Sequence, residues 1–342
     1  MAADTFLLPD APAIPGLTFR HFRIPDDFHN MAAITRASAV VDGTERADTA
    51  DELATLFAHL TNCDPSTDMI VAEINPGDGR EPEAIGYSRG TWREEGSGER
   101  RYMFFGRISP AWRRRGIGLA MLHWVEGRLR EIATDHPAEI PKHFLCIAQQ
   151  GEVGFAAMLE KTGYQAVRYG LEMVQPDLEN IPDFPLPEGL EVRLVLPEHY
   201  RAIWDADTEA FRDHWGFVEP GEEDYQAWLA DKTVFQPELW QIAWDVAKDQ
   251  VAGQVRTYID HEQNETYHRQ RGWTEFISVR RPWRRRGLAR ALIIRSLRAQ
   301  KEAGMRESAL WVDSENLSGA TRVYEECGFR VAKRETIYQK SL

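Results

Sequence analysis

The chain has 342 residues, of which 43% are apolar and 28% charged, and a formal net charge of −13. The length suits two domains of ordinary size, and the composition is that of a folded globular protein, not a disordered one. The acidic balance argues against nucleic-acid or anionic-membrane partners, whose phosphates its overall field repels. No apolar run approaches the roughly 18 residues of a membrane span.

Residues 1–15 carry Pro9, Pro12 and Pro15 and read as a flexible lead-in. They lack the basic and apolar regions of a signal peptide, so a cytoplasmic location is expected. A strand is predicted at Thr18–Phe22, with helices at Phe28–Val41 and Ala50–Leu60 and strands at Met69–Ile74 and Ala84–Thr91. A further strand ends near Ile108 and runs into Trp112-Arg113-Arg114-Arg115-Gly116. Leu122, Val125, Leu129 and Ile132 then recur at helical spacing. A strand at His143–Ala148, a helix and a terminal strand complete this half.

Residues 176–188, with several prolines and acids, read as an extended linker. The parse then repeats. A strand at Glu191–Leu196 precedes helices at His199–Phe211 and Glu222–Ala230 and strands at Trp240–Val246 and Val251–Tyr258. Glu275 to Val279 leads to a second Trp-Arg-Arg-Arg-Gly, Trp283–Gly287. Leu288, Leu292, Ile293 and Leu297 form the stripe of the next helix, with Gly304 as its cap, and Ser308–Val312 is again a strand. Pro15-Gly16-Leu17 matches Glu188-Gly189-Leu190, and Gly163-Tyr164 matches Gly328-Phe329, so the duplication spans both halves. The expected organisation is an N-terminal domain at 16–175 and a C-terminal domain at 189–342. Each would be an α/β fold with a mixed sheet flanked by helices.

A glycine turn that opens a helix points backbone N–H groups at whatever lies in front of it, and flanking arginines favour an anion there. An isolated arginine triplet would read as solvated surface. Two copies at one place in a repeated parse point to a duplicated phosphate-binding turn. Cys63, Cys146 and Cys327 lie far apart without metal-ligand spacing and read as reduced thiols. No histidine pair has the spacing of a metal site, and no metal is expected.

On these residues the chain resembles the GNAT superfamily of acyl-CoA-dependent N-acyltransferases. Arg113-x-x-Gly116-x-Gly118 and Arg284-x-x-Gly287-x-Ala289 fit the family's turn, and Asn316, Ala320, Tyr324, Gly328 and Phe329 fit its later segment. Mycothiol synthase and some antibiotic-biosynthesis acetyltransferases share the tandem layout. The resemblance implies two GNAT folds, each with a mostly antiparallel twisted sheet. It also implies acetyl-CoA as cofactor, with up to two sites per chain. Arg284, Arg285, Arg286, Gly287, Leu288 and Ala289 would cradle the pyrophosphate, and the strand residues Phe276, Ile277 and Val279 would lie along the pantetheine arm. Ile108, Arg113, Arg114, Arg115, Gly116, Ile117 and Gly118 are their counterparts in the first half.

The resemblance further implies roles for three residues. Glu275 would be the general base, Tyr324 the acid that protonates the leaving thiolate, and Asn316 a cofactor contact. Each has a plainer alternative: an ion pair for Glu275, core packing for Tyr324, a helix cap for Asn316. Ungapped alignment of the halves places Phe104, Leu159 and Gly151 opposite Glu275, Tyr324 and Asn316, and none of these can transfer a proton through its side chain. Catalysis is therefore expected in the C-terminal half alone. Asp213, His214 and Trp215 fall in the region that lines the acceptor site in such enzymes, with His–Trp packing as the alternative. The expected activity is acetyl transfer to a small-molecule primary amine by a monomer or weak homodimer. A non-catalytic acyl-CoA sensor and a protein-acetylating enzyme are the competing readings.

Overall fold

The structure, a computed structural model, describes residues 5–45, 48–96, 98–214, 217–314 and 319–342. The chain forms two compact units. The first comprises Met1–Val167 and Thr336–Leu342, and the second Arg168–Glu335. Each is a mixed, mostly antiparallel sheet with helices packed on it.

In the first unit β1 (Thr5–Phe6) and β2 (Leu17–His21) precede α1 (Asp27–Asp42), α2 (Ala50–Ala58) and the short α3 (Pro65–Asp68). Then come β3 (Met69–Ile74), β4 (Glu83–Glu94), β5 (Arg100–Ile108), α4 (Ile117–Thr134), β6 (Lys142–Gln149), α5 (Val153–Lys161) and β7 (Gln165–Gln175), the last of which continues into the second unit. Strands β1 to β6 lie side by side in chain order. All pairings are antiparallel except β5 with β6. The apolar stripe of α4 does what its spacing predicts: Leu122, Val125 and Leu129 are buried against Tyr102, Phe104 and Phe144.

The lead-in is not loose over its described part. Thr5 and Phe6 pair with Arg20 and Phe19, and Leu8 is buried in a cluster with Phe19, Ile85 and Ile117. Pro12 rests against Gly116, 3.6 Å from the place a Cβ would take. The prolines that made this segment look ragged instead shape a strap whose apolar residues cover one end of the core.

In the second unit β8 (Leu190–Val192), α6 (Tyr200–Phe211), α7 (Glu222–Ala230), β9 (Gln241–Asp245), β10 (Gln250–Tyr258), α8 (His261–Thr266), β11 (Arg271–Val279), α9 (Leu288–Glu302), β12 (Glu307–Asp313) and α10 (Ala320–Glu326) follow, and β13 (Arg330–Ser341) closes the chain. The sheet order is β7-β12-β11-β10-β9-β8, with only β11 and β12 parallel. Residues 176–188, read as a linker, are part of this unit: Leu178 is buried, and Ile181, Phe184 and Leu186 pack on its core.

Helix α9 is fixed to the sheet by an apolar stripe and by a buried polar cluster. Ser296 bonds Thr257 of β10 (2.6 Å) and Thr274 of β11 (3.1 Å), Thr274 bonds Ser308 of β12 (2.9 Å), and Gln300 donates to Thr274 (2.7 Å). Gly272 admits Gln300, whose Oε1 lies 2.3 Å from where a Cβ would sit. In a dry environment such bonds are directional, so they set the helix in one position along three strands. No helix among the described residues is long and apolar enough to cross a membrane.

The strap gives a direct test. Leu8→Ala should destabilise the protein by about 2–4 kcal/mol, the range for a buried leucine, measured by urea unfolding. A flexible lead-in would leave stability unchanged.

Candidate active site

Each Trp-Arg-Arg-Arg-Gly segment adopts the same turn. The middle arginines have left-handed backbones, with φ 63° at Arg114 and 60° at Arg285, and the glycines follow at 89° and 84°. Gly116 and Gly287 are the N-caps of α4 and α9, and neither helix has a side-chain cap. The glycine is required by its φ, and the uncapped N–H groups beside it form an anion-accepting helix end.

The first arginine of each triplet is a clamp. Arg284 donates Nε to the Val279 carbonyl (2.8 Å) and Nη2 to that of Ala210 (3.2 Å), and pairs with Asp213 (3.2 Å). Arg113 donates to the Ile108 carbonyl (3.1 Å) and grips Asp42 with both nitrogens, at 2.6 and 2.8 Å. Thus Val279 and Ile108 have their carbonyls engaged from within the chain. Asp213 is bound to Arg281 and Arg284, whose hydrogen bonds hold its carboxyl down at about 2. Its carboxylate is committed to the turn. Arg286 reaches the Glu188 carbonyl at 2.8 Å, and Arg115 lies over the Trp112 ring.

The strands entering the two turns differ. Strand β5 pairs with β4 without interruption from Arg100 to Ile108. Strand β11 carries a bulge: Gln254 faces Ser278, but Arg256 faces Glu275, and Phe276 takes φ 50° to absorb the extra residue. Bulges re-aim side chains and are frequent beside active sites. This one shifts the comparison of the halves. With it counted, the cross-strand partner of Arg256, Glu275, corresponds to Phe105, the partner of Arg89, and not to Phe104. Phe104 is instead a buried core residue.

Before the bulge is reached, β11 and β12 part. They pair only at Arg271–Glu307, Gly272–Ser308 and Trp273–Ala309. The Trp311 N–H, beyond the last pair, donates to Glu275 Oε1 at 2.7 Å. Burial pushes the Glu275 carboxyl up to about 8, against backbone hydrogen bonds from Trp311 and Phe276 that favour the anion, with Glu172 adding to the rise. Tyr324, buried on α10, has its hydroxyl pushed up by burial and by the Glu275 carboxylate. Its hydroxyl makes no hydrogen bond among the described residues. Tyr258 feels Glu275 in the same way and stacks on Trp273 at 6.1 Å between ring centroids. The structure therefore gathers Glu275 and Tyr324 with Tyr258 around the splay.

His214 lies half apart from this group. Its ring sits 4.5 Å from that of Phe211, and burial lowers its pKa, with Asp313 pulling the other way and Arg284 adding to the fall. Asn316 and Trp215 lie outside the described residues. Sequence reasoning missed Asp207 and Arg256, which pair at 2.5 Å, with Ser278 donating to Asp207 at 2.8 Å. An arginine within the apolar run Val251–Tyr258 was the available signal.

In the first unit the corresponding gap is bridged. Arg107 of β5 pairs with buried Glu152 at 2.9 Å, and Glu152 also accepts the Gln149 N–H at 2.9 Å. Leu159 is wholly buried. Gly151 passes so close to the end of α1 that a Cβ would lie 1.6 Å from the Asp42 carbonyl oxygen, which excludes an asparagine there without rearrangement. Among the described residues no group of three or more His, Cys, Asp or Glu could hold a metal ion.

Residues 200–329 match the acetyltransferase (GNAT) family. This segment belongs to that family. The chain is 27% identical to mycothiol acetyltransferase of Geodermatophilus obscurus over 235 residues, covering 65% of this chain and 68% of that protein. It is 28% identical to the Salinispora arenicola protein of the same name, covering 68% and 71%. The crystal structure of a GCN5-related N-acetyltransferase from Sphaerobacter thermophilus superposes with a TM-score of 0.73 at 25% identity, over 98% of this chain and 97% of that one. A tandem GNAT protein of the clavulanic acid biosynthesis pathway shares the fold, with a TM-score of 0.63 at 15% identity over 95% and 98%. The second unit thus carries a GNAT acetyltransferase segment, and the chain shares its fold with a tandem GNAT protein.

The raised pKa of Glu275 has a signed consequence for stability. The folded state favours the neutral acid. The folded protein is therefore penalised as pH rises from the ordinary 4.5 to about 8, and the penalty is constant above that. Glu275→Gln should melt close to wild type at pH 4.5 and progressively higher than wild type toward pH 8, by scanning calorimetry. A constant difference across this range would place the carboxyl at an ordinary pKa.

Proposed function

We propose that this protein transfers an acetyl group from acetyl-CoA directly to a primary amine of a small molecule, at the splay of β11 and β12. The observation that carries the reading is the Glu275 carboxyl, held near neutrality on the Trp311 N–H and acting on the buried Tyr324 hydroxyl. A base with a pKa near the working pH accepts a proton readily and returns it readily.

The donor fits the residues present. The uncapped start of α9 with Arg285 and Arg286 suits a pyrophosphate. The edge of β11 beyond Trp273 is left unpaired on the β12 side, where an extended amide-bearing arm can bind. In the first unit the Arg107–Glu152 bridge spans that gap, which supports one acyl-CoA per chain over two.

In the proposed reaction Glu275 takes a proton from the acceptor ammonium, directly or through water. The amine nitrogen attacks the thioester carbonyl carbon, the C–N bond forms and the C–S bond breaks. Tyr324 gives its proton to the departing thiolate. The two steps support each other: once Glu275 is neutral, its charge no longer raises the Tyr324 hydroxyl. Both relatives named above are mycothiol acetyltransferases, which favours a small-molecule acceptor. The face bearing Asp207, Arg256 and Tyr258 is where we place it, in preference to Asp213.

The test is acetyl-CoA-dependent thiol release across a panel of amino sugars, amino-acid amides and polyamines. Tyr324→Phe should lower kcat by about 100-fold, the usual scale of a lost general acid. The wild-type kcat/KM should rise with pH to a plateau above about 8, and Glu275→Gln should lose that rise. Release that no amine stimulates, or a pH profile unchanged in Glu275→Gln, would contradict the reading.

A further inference from the structure

The first unit contains its own version of the acceptor face, with the charge inverted. Arg89 on β4 and Arg256 on β10 correspond: each stands three residues after the glycine paired with the last residue before the turn, Gly86 with Ile108 and Gly253 with Val279. Arg256 has a counter-ion, Asp207, at 2.5 Å, and Ser278 steadies that carboxylate. At the same separations from the turn arginine, the first unit has Arg36 in place of Asp207 and Arg107 in place of Ser278. Arg107 is neutralised by Glu152, and Arg36 is exposed.

Among the described residues Arg89 is left without an anion. Its Nε and Nη1 are shut off from solvent and have no hydrogen-bond partner there, as is true of the same two atoms of Arg256, whose Nη2 alone meets Asp207. Its guanidinium lies over two rings, 4.9 Å from the centroid of Phe105 and 5.6 Å from that of Phe57. The titratable groups acting on it are the Cys63 thiol and the Tyr87 phenol, neither a carboxylate. Burial pushes the thiol up to about 11, so it supplies no negative charge at neutral pH. Arg89 is partly buried; an arginine does not shed its proton to escape burial, and an unpaired charge held partly out of water is costly. Ring contacts alone do not satisfy the N–H fork, which is shaped for a planar, two-oxygen acceptor. The third nitrogen, Nη2, is not among the sealed atoms, and Phe105 beside the guanidinium is 38% exposed.

We propose that the first unit binds a small aromatic carboxylate, with its carboxyl on the Arg89 guanidinium and its ring against Phe105. The inference is independent of catalysis in the second unit. It gives the first unit a ligand of a class different from the amine acceptor.

The experiment is calorimetric titration of the full chain with phenylacetate, phenylacetamide and phenyl phosphate. Phenylacetate should bind saturably and at least about tenfold more tightly than the neutral amide, the difference expected for one charge-assisted pair. Arg89→Met should abolish that preference while melting at or above the wild-type temperature, because it removes an unpaired, partly buried charge. Arg89→Lys should keep a weaker preference. Equal binding of acid and amide, no binding of the acid, or an undiminished preference in Arg89→Met would overturn the proposal. A Met variant that melts several degrees lower would overturn it too, by assigning Arg89 to packing. Tighter binding of phenyl phosphate than of phenylacetate would replace the carboxylate with a phosphate ester. If the Met variant does not fold, the acid-to-amide comparison on wild type and the Lys variant decides.

Discussion

Two parallel strands that stop pairing leave backbone donors and acceptors with no partner, and burying them unmet is costly. In the second unit β11 and β12 stop pairing after Trp273 and Ala309. The Thr274–Ser308 and Ser296 bonds lock the sheet just below this point. Just above it, the Trp311 N–H is met by a side chain, Glu275. That one bond ties the shape of the gap to the ionisation of a carboxylate. Glu275 stands two residues beyond Trp273, as Trp311 stands two beyond Ala309, so the strand alternation brings them together, and the bulge at Phe276 follows. The fold therefore holds an opening and its titrating group by the same interaction.

The two units show how one framework diverges. The turns are alike in backbone and in the way Arg113 and Arg284 clamp the strand end to an acidic residue of the first helical segment. Everything between turn and cleft has changed. The first unit has a regular β5, a Phe105 in place of the acid, and an ion pair across the gap. Those differences put an apolar side chain where the second unit has a carboxylate and preserve the core, because Phe104 and Leu159 fill space that polar groups would otherwise need partners to occupy.

Much of this was legible in the sequence. The helices and strands of both units fall within a few residues of the periodic pattern, and Gly304 takes the left-handed backbone expected after α9. The arginine turns followed from motif and spacing, and the family resemblance singled out Glu275 and Tyr324. What escaped was tertiary. An inserted bulge residue is invisible to ungapped alignment, so Phe104 stood where Phe105 belongs. Proline-rich segments look loose until their apolar residues find a core, as Leu8 and Leu178 do. Asp213 looked free for a ligand because its partners, Arg281 and Arg284, are distant in the chain. The loss of a counter-ion at Arg89 becomes visible only when the strand is paired and its neighbours are known.

The division between units is tested most directly by making the same substitution in both turns. Gly116→Val and Gly287→Val impose the same strain, because both glycines hold nearly the same positive φ. Acetyl-CoA-dependent thiol release with the most active amine should fall by at least about 100-fold in Gly287→Val, the scale of a misplaced reactant, and by less than about threefold in a folded Gly116→Val, since a turn that takes no part in the reaction leaves the transition state untouched. Equal loss in two folded variants, or loss confined to Gly116→Val, would contradict the assignment of chemistry to the second unit.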